Sequence, residues 1–159
     1  MSVHDRPLAD RLEVGAPSLA TLGVRAVGAL PEQIRRRILQ AAFDRARDAF
    51  NRGDLDVVFA LFADDVEYAP PPPLTDGGPL KGRAAVLGFW RDVFGHYDNN
   101  TIENLSLEET SRGHFVRRAR LQHRLRDTGE TLDYVIVQTT ELDAGRVVRQ
   151  VNVLGPAPR

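Results

Sequence analysis

Cysteine is absent from the 159 residues, which removes disulfides, thiolate chemistry and cysteine-rich metal centres from consideration. Histidine is scarce, with 4 residues, and no two of them stand at a paired ligand spacing, so no metal is expected. A glycine-rich phosphate loop is missing as well. Neither a metal nor an organic cofactor is therefore expected. Charge of one sign is lacking: 21 basic residues face 22 acidic ones, which gives no electrostatic reason to expect a nucleic acid or an anionic membrane as partner. No apolar run approaches the roughly 20 residues that span a bilayer, and Met1-Ser2-Val3-His4-Asp5-Arg6-Pro7 does not read as a secretory leader. The expectation is a cytoplasmic protein that does not insert into membranes. What is present is a hydrophobic share of 42%, enough at this length for one domain with a core.

Residues 1–30 carry Leu19, Leu22, Val24, Val27 and Leu30 among the breakers Gly15, Pro17, Gly23 and Gly28. They read as an N-terminal arm preceding a domain over 31–156. Pro31-Glu32 is a helix start, since proline suits the first turn and a carboxylate suits the positive end of the dipole. The helix should run to about Arg52, with Ile34, Ile38, Ala42, Ala46 and Ala49 in one stripe and Leu39, Phe43 and Phe50 beside it. Gly53 stops it and Asp54 can cap a second helix, in which Leu55, Val58, Phe59 and Phe62 recur at helical spacing. Ala63-Asp64-Asp65 should then turn the chain into a short strand, Val66 to Tyr68. The prolines 70–73 remove amide donors and force extended backbone. Arg83 to Tyr97 has helical period and a heavy aromatic load in Phe89, Trp90, Phe94 and Tyr97.

The last third alternates as strands. They fall near Thr101–Leu107, His114–Arg126, Thr131–Leu142 and Arg146–Leu154, in an antiparallel meander. Helices before antiparallel strands argue an α+β fold with helices on one face of a curved sheet. Along the strand from His114, Phe115, Arg117, Ala119, Leu121, His123 and Leu125 take one face, and Arg118, Arg120, Gln122, Arg124 and Arg126 the other. By alternation the first face is buried. A two-residue hairpin at Thr128-Gly129 would pair His123 with Tyr134, Leu121 with Ile136, Ala119 with Gln138 and Arg117 with Thr140. Arg117 is the hardest to dismiss, because an unpaired buried guanidinium is costly. Glu67, Asp76 and Glu103 are its candidate carboxylate partners, and an anionic or carbonyl ligand is the other way to satisfy it.

The Gly53-Asp54 step and Phe62-Ala63-Asp64-Asp65-Val66 resemble the opening of the nuclear transport factor 2-like superfamily, which includes SnoaL-like polyketide cyclases and ketosteroid isomerases. In element order the resemblance extends over about residues 32–154. It implies a cone in which three N-terminal helices pack on a curved, mainly antiparallel sheet around a pocket, with the 70–81 segment as a lid or rim and homodimerisation through the exposed sheet face. Gly145-Arg146-Val147-Val148 aligns with the family's Gly-Lys-Val-Val and puts Gln150 and Asn152 inward. The ketosteroid isomerase positions for the base, the helix tyrosine and the second acid fall at Ala69 or Pro70, Ala46 and Gln138, and none of these can do that chemistry.

The site that follows is a cavity lined by Phe50, Phe59, Tyr68, Phe89, Trp90, Gln138, Gln150 and Asn152 as ligand-binding residues. His123 is the candidate acid–base group, Tyr134 a proton donor and Arg117 an oxyanion partner. Three functions are open: a cofactor-independent cyclase, isomerase or dehydratase-type enzyme acting on a small hydrophobic or polyketide-like molecule, a non-catalytic binding domain for such a molecule, or a dimerisation scaffold with a filled cavity. Titratable groups at the cavity base favour the first, and an open apolar pocket without them the second.

Overall fold

The computed structural model of the chain describes residues 30–156; the expected N-terminal arm lies, except for Leu30, outside the described residues. Helix α1 (Glu32–Asn51) starts where Pro31 presents its carbonyl to the amides of Ile34 and Arg35, each at 3.0 Å. It ends at Gly53, whose φ of 77° lets its amide reach Phe50 O at 2.8 Å while Asp54 N reaches Ala49 O at 2.9 Å. Helix α2 is a single turn, Leu55–Val58, with Asp54 at its N-cap position but without a side-chain capping bond. Phe59 and Phe62 therefore do not extend it. β1 (Phe62–Ala69) follows directly, then a 3-10 turn at Pro72–Leu74, β2 (Leu80–Lys81) and α3 (Arg83–His96). β3 (Tyr97–Ser111), β4 (His114–Leu125), β5 (Thr131–Asp143) and β6 (Arg146–Leu154) complete the chain.

The six strands form one mixed sheet in the order β2-β1-β6-β5-β4-β3. All pairings are antiparallel except β1 with β6, which is parallel. Two helices precede β1 and the third follows it, so the helices are not all N-terminal to the sheet. The expected turn at Ala63-Asp64-Asp65 is an irregularity within β1: pairing with β6 runs from Phe62↔Val147 to Glu67↔Arg149, with residues between them out of register. The proline run does hold one helical turn, since Leu74 N reaches Pro71 O at 3.0 Å and prolines tolerate first-turn positions.

The β4–β5 register differs from the two-residue hairpin expectation. The observed pairs are Arg117↔Gln138, Ala119↔Ile136, Leu121↔Tyr134 and His123↔Leu132. The loop is longer: Gly129, at φ 72°, donates its amide to Leu125 O at 2.9 Å, and Leu125 N reaches Glu130 O at 2.8 Å. The slip is two residues, so each side chain keeps its face and changes its cross-strand partner.

The core joins the helices to the buried face of the sheet through Phe50, Phe59, Phe62, Val66, Tyr68, Val86, Trp90, Ala119, Leu121 and Ile136. The rings of Phe50, Phe94, Phe59, Phe62, Phe89 and Trp90 meet mostly edge to face at centroid separations near 5 Å. α1 overhangs the sheet at its start: Ile34 and Ile38, expected in the buried stripe, are 49% and 40% exposed. An ion pair between Arg35 and Glu109 at 3.0 Å ties that half of the helix to β3. At the other end the Asn51 carboxamide bonds the β3 backbone twice, accepting from Ile102 N at 2.7 Å and donating to Ile102 O at 3.2 Å.

Candidate functional site

α1 brings Leu39, Ala42, Phe43, Ala46 and Phe50 to one face, at helical spacing, above the strands. The alanines are too short to reach the sheet, and the gap beneath them is a cavity of about 150 Å³. Val57, Val58, Phe59, Leu61 and Phe62 close it from the α2 segment, and Ile102, Leu142 and Val147 from the strands. Its floor is polar, with Arg117 from β4, Gln138 and Thr140 from β5 and Gln150 from β6. Arg45 and Arg47 also contribute to the wall. No aspartate, glutamate, histidine or tyrosine lines it.

Five of the sequence-derived candidates stand on this wall: Phe50, Phe59, Arg117, Gln138 and Gln150. Thr140 belongs with them; its inward alternation already marked it. Val147 was missed because β6 carries an irregularity opposite Glu141 and Leu142, which gives Val147 the inward position that alternation assigns to Val148. The alanine-framed face of α1 was legible as apolar but not as the roof of a space.

Arg117 is 7% exposed. Its Nη1 donates to Asn104 Oδ1 at 3.2 Å, and Asn104 in turn donates to Asp44 Oδ1 at 3.1 Å. The guanidinium carbon sits 5.6 Å from the Phe43 ring centroid. Nε is buried without a partner. Among the described residues no carboxylate pairs with Arg117, and Glu67, Asp76 and Glu103 do not; Glu67 instead faces Arg149 at 3.8 Å. Burial pulls the guanidinium pKa well below the ordinary arginine value, to about 10, partly countered by the nearby Tyr68 oxygen.

The remaining candidates lie off the cavity wall. Tyr68 accepts a hydrogen bond from Trp90 Nε1 at 2.9 Å, and burial pushes its hydroxyl above the ordinary tyrosine range. Asn152 accepts from Gln138 Nε2 at 2.9 Å and donates to Ala69 O at 2.8 Å, which links the cavity floor to β1. Phe89 packs edge-on against Trp90 at 5.5 Å. His123 is fully enclosed, with Nδ1 2.7 Å from Asn100 Oδ1 and Nε2 3.0 Å from Tyr134 Oη. Those partners suit a neutral ring that donates from Nδ1 and accepts at Nε2. Burial lowers its pKa to about 4 and raises that of Tyr134. The 70–81 segment supplies no residue to the cavity wall. Among the described residues no cluster of three or more histidine, aspartate or glutamate side chains could hold a metal, and no helix is long and apolar enough to cross a membrane.

A six-stranded mixed sheet packed against three helices is the architecture of the nuclear transport factor 2-like class. Within that class the chain belongs to the SnoaL-like domain family, which it matches over residues 43–150. Among solved structures it is similar to a nuclear transport factor 2-like protein of unknown function from Burkholderia pseudomallei, with 22% identity, TM-score 0.62 and coverage of 73% of this chain and 89% of that one. A candidate polyketide cyclase from Xanthomonas campestris superposes with TM-score 0.63 at 20% identity, over 73% and 89% of the two chains. TerC, crystallised with polyporic acid, gives TM-score 0.60 at 16% identity, over 72% and 89%. At these identities the likeness is one of fold. Comparison with curated proteins finds no match.

Proposed function

We propose that this SnoaL-like domain is a binding module for a small, largely apolar molecule. The observation that carries the reading is the composition of the cavity wall: aromatic and aliphatic side chains above a polar floor, with no group that titrates near neutral pH. An acid–base enzyme built on His123 and Tyr134 has less support. The histidine is sealed, both ring nitrogens are engaged, and its lowered pKa leaves it a weak base away from the cavity. The size of the cavity argues for a ligand of about one ring and against a multi-ring polyketide, since engineered cavities of about 150 Å³ accept benzene.

The test is saturable binding of toluene by the full chain, followed by ligand-observed NMR, together with the variant Ala46→Leu. The wild type should bind, and the variant, whose longer side chain fills the space under α1, should not while keeping its circular dichroism. Absence of saturable binding to the wild type sinks the reading.

The same reading has two copies pairing through the convex sheet face. Arg120 is neutralised by Asp133 at 2.6 Å and Arg124 by Asp98 at 2.8 Å, while Val153 on that face is 49% exposed. Light scattering at micromolar concentration should return twice the chain mass of 17.7 kDa.

A further inference from the structure

The cavity floor holds more donors than acceptors. Of the five N–H donors of a guanidinium, Arg117 uses one on Asn104 Oδ1. Its Nε is buried and unmatched, and its Nη2 makes no hydrogen bond among the described residues. Gln150 accepts from the Thr140 hydroxyl through Oε1 at 3.3 Å, which leaves its amide nitrogen as a further donor on the wall. Gln138 spends its amide nitrogen on Asn152 and keeps its own oxygen as the one floor acceptor without a bond. Charge is as one-sided as hydrogen bonding. The lining carries three arginines and no acidic residue, and of these Arg47 is already paired with Asp44 and Asp48 at 3.1 and 2.8 Å. Arg117 is the member buried at the floor, with its guanidinium over the Phe43 ring.

We infer that the occupant is a monocarboxylate with an apolar tail of about one ring or one branched aliphatic group. Its carboxylate lies against Arg117 and Gln150, and its tail lies under Ala42 and Ala46 among the phenylalanines. A carboxylate supplies two acceptor oxygens, one for Arg117 Nη2, which makes no hydrogen bond among the described residues, and one for the amide nitrogen of Gln150. One negative charge also balances the single cation on the floor, whereas a phosphate dianion would bring a second charge that no cation on the floor matches. The tail is limited by the 150 Å³ of space. This inference rests on the reading of the domain as a small-molecule binder and adds the charge and class of its ligand.

The experiment compares phenylacetate, 4-methylpentanoate, phenylacetamide and toluene as probes of the full chain at pH 7.5, by calorimetry and ligand-observed NMR, in wild type, Arg117→Gln and Arg117→Lys. Phenylacetate should bind at least tenfold tighter than its isosteric amide, and 4-methylpentanoate tells whether a branched aliphatic tail is accepted equally with the ring. Arg117→Gln should abolish the preference of acid over amide while keeping its circular dichroism. Arg117→Lys, which keeps the charge but not the fork, should retain only part of it. Equal binding of acid and amide by the wild type overturns the carboxylate inference and leaves the apolar binder standing. Failure of every probe, toluene included, removes both. The wild-type acid–amide comparison decides the matter even where a variant does not fold.

Discussion

Replacing Arg117 by methionine should leave the domain as stable as before or make it more stable. Burial lowers the folded-state pKa of the guanidinium from the ordinary arginine value to about 10. At about 1.4 kcal/mol per unit, the charged form is disfavoured in the fold by roughly 3 kcal/mol. The sign follows from linkage. Between pH 10 and the ordinary arginine pKa the unfolded chain holds the proton that the folded chain has released, so stability rises with pH there, and the whole cost is present at every pH below the folded value. Against it stand the charged hydrogen bond to Asn104, of order 1.5 to 3 kcal/mol, and the contact over Phe43, about 0.5 to 1 kcal/mol. Methionine keeps the apolar stem and can fill against Phe43. With the ring contact over Phe43 kept by the methionine, relief of about 3 kcal/mol against a lost hydrogen bond of about 1.5 to 3 kcal/mol predicts a change between zero and a gain of about 1.5 kcal/mol, or a rise in Tm of up to roughly 6 °C for a chain of this size. Urea and thermal melts at pH 7.5, without added ligand, measure it. A fall of more than about 1 kcal/mol would refute the reasoning. Loss on the 3 to 5 kcal/mol scale of a broken buried ion pair would show that Arg117 is satisfied within the fold and has no need of a ligand.

His123 should make the domain acid-sensitive: its folded pKa of about 4 lies below the ordinary 6.5, so stability is fully present above pH 6.5 and is lost as pH falls towards 4, by about 3 kcal/mol in all. Urea melts of wild type and His123→Gln at pH 7 and pH 4.5 should show a markedly flatter dependence in the variant, and equal slopes would remove His123 as the cause. Tyr68→Phe leaves the buried Trp90 indole N–H without its acceptor and should cost about 1 to 3 kcal/mol, with a shift in tryptophan emission; an unchanged melt would show that another acceptor takes its place. Gly113→Ala puts a methyl 2.9 Å from Leu142 O at a φ of 79°, which should lower stability by more than 1 kcal/mol and loosen the β3–β4 turn, read by amide exchange at Leu142.

The order of helices and strands was legible because each element carries its own period. α1 repeats every three to four residues, and β4 alternates without a break from Phe115 to His123, so its buried face could be assigned residue by residue. What period does not carry is pairing. The β4–β5 register depends on whether the chain turns in two residues or closes a longer loop around a left-handed Gly129, and Asp127-Thr128-Gly129-Glu130 is compatible with both. β1 was drawn too short for a similar reason. Asp64 and Asp65 read as a turn by composition, yet they sit in an irregular stretch of strand whose pairing with β6 resumes at Glu67.

A buried arginine and a cavity differ in how they are written into a chain. The predicament of Arg117 is a property of one residue on one face: alternation puts a guanidinium among Phe115, Ala119 and Leu121, and the cost of burying it follows from the residue alone. The space next to it is a property of four segments at once. It needs alanine at 42 and 46 on α1, phenylalanine at 59 and 62 beyond it, and a β6 irregularity that turns Val147 inward, and none of these means anything until the others are in place. That is why Tyr68, Trp90 and Phe89, the aromatics most conspicuous in the sequence, pack into the core beside the cavity, and inconspicuous alanines define it. Large rings fill space wherever two layers meet, so their presence marks a core. A short side chain above a polar floor marks a vacancy, and Ala46, which lines the same cavity as Arg117, has that pattern.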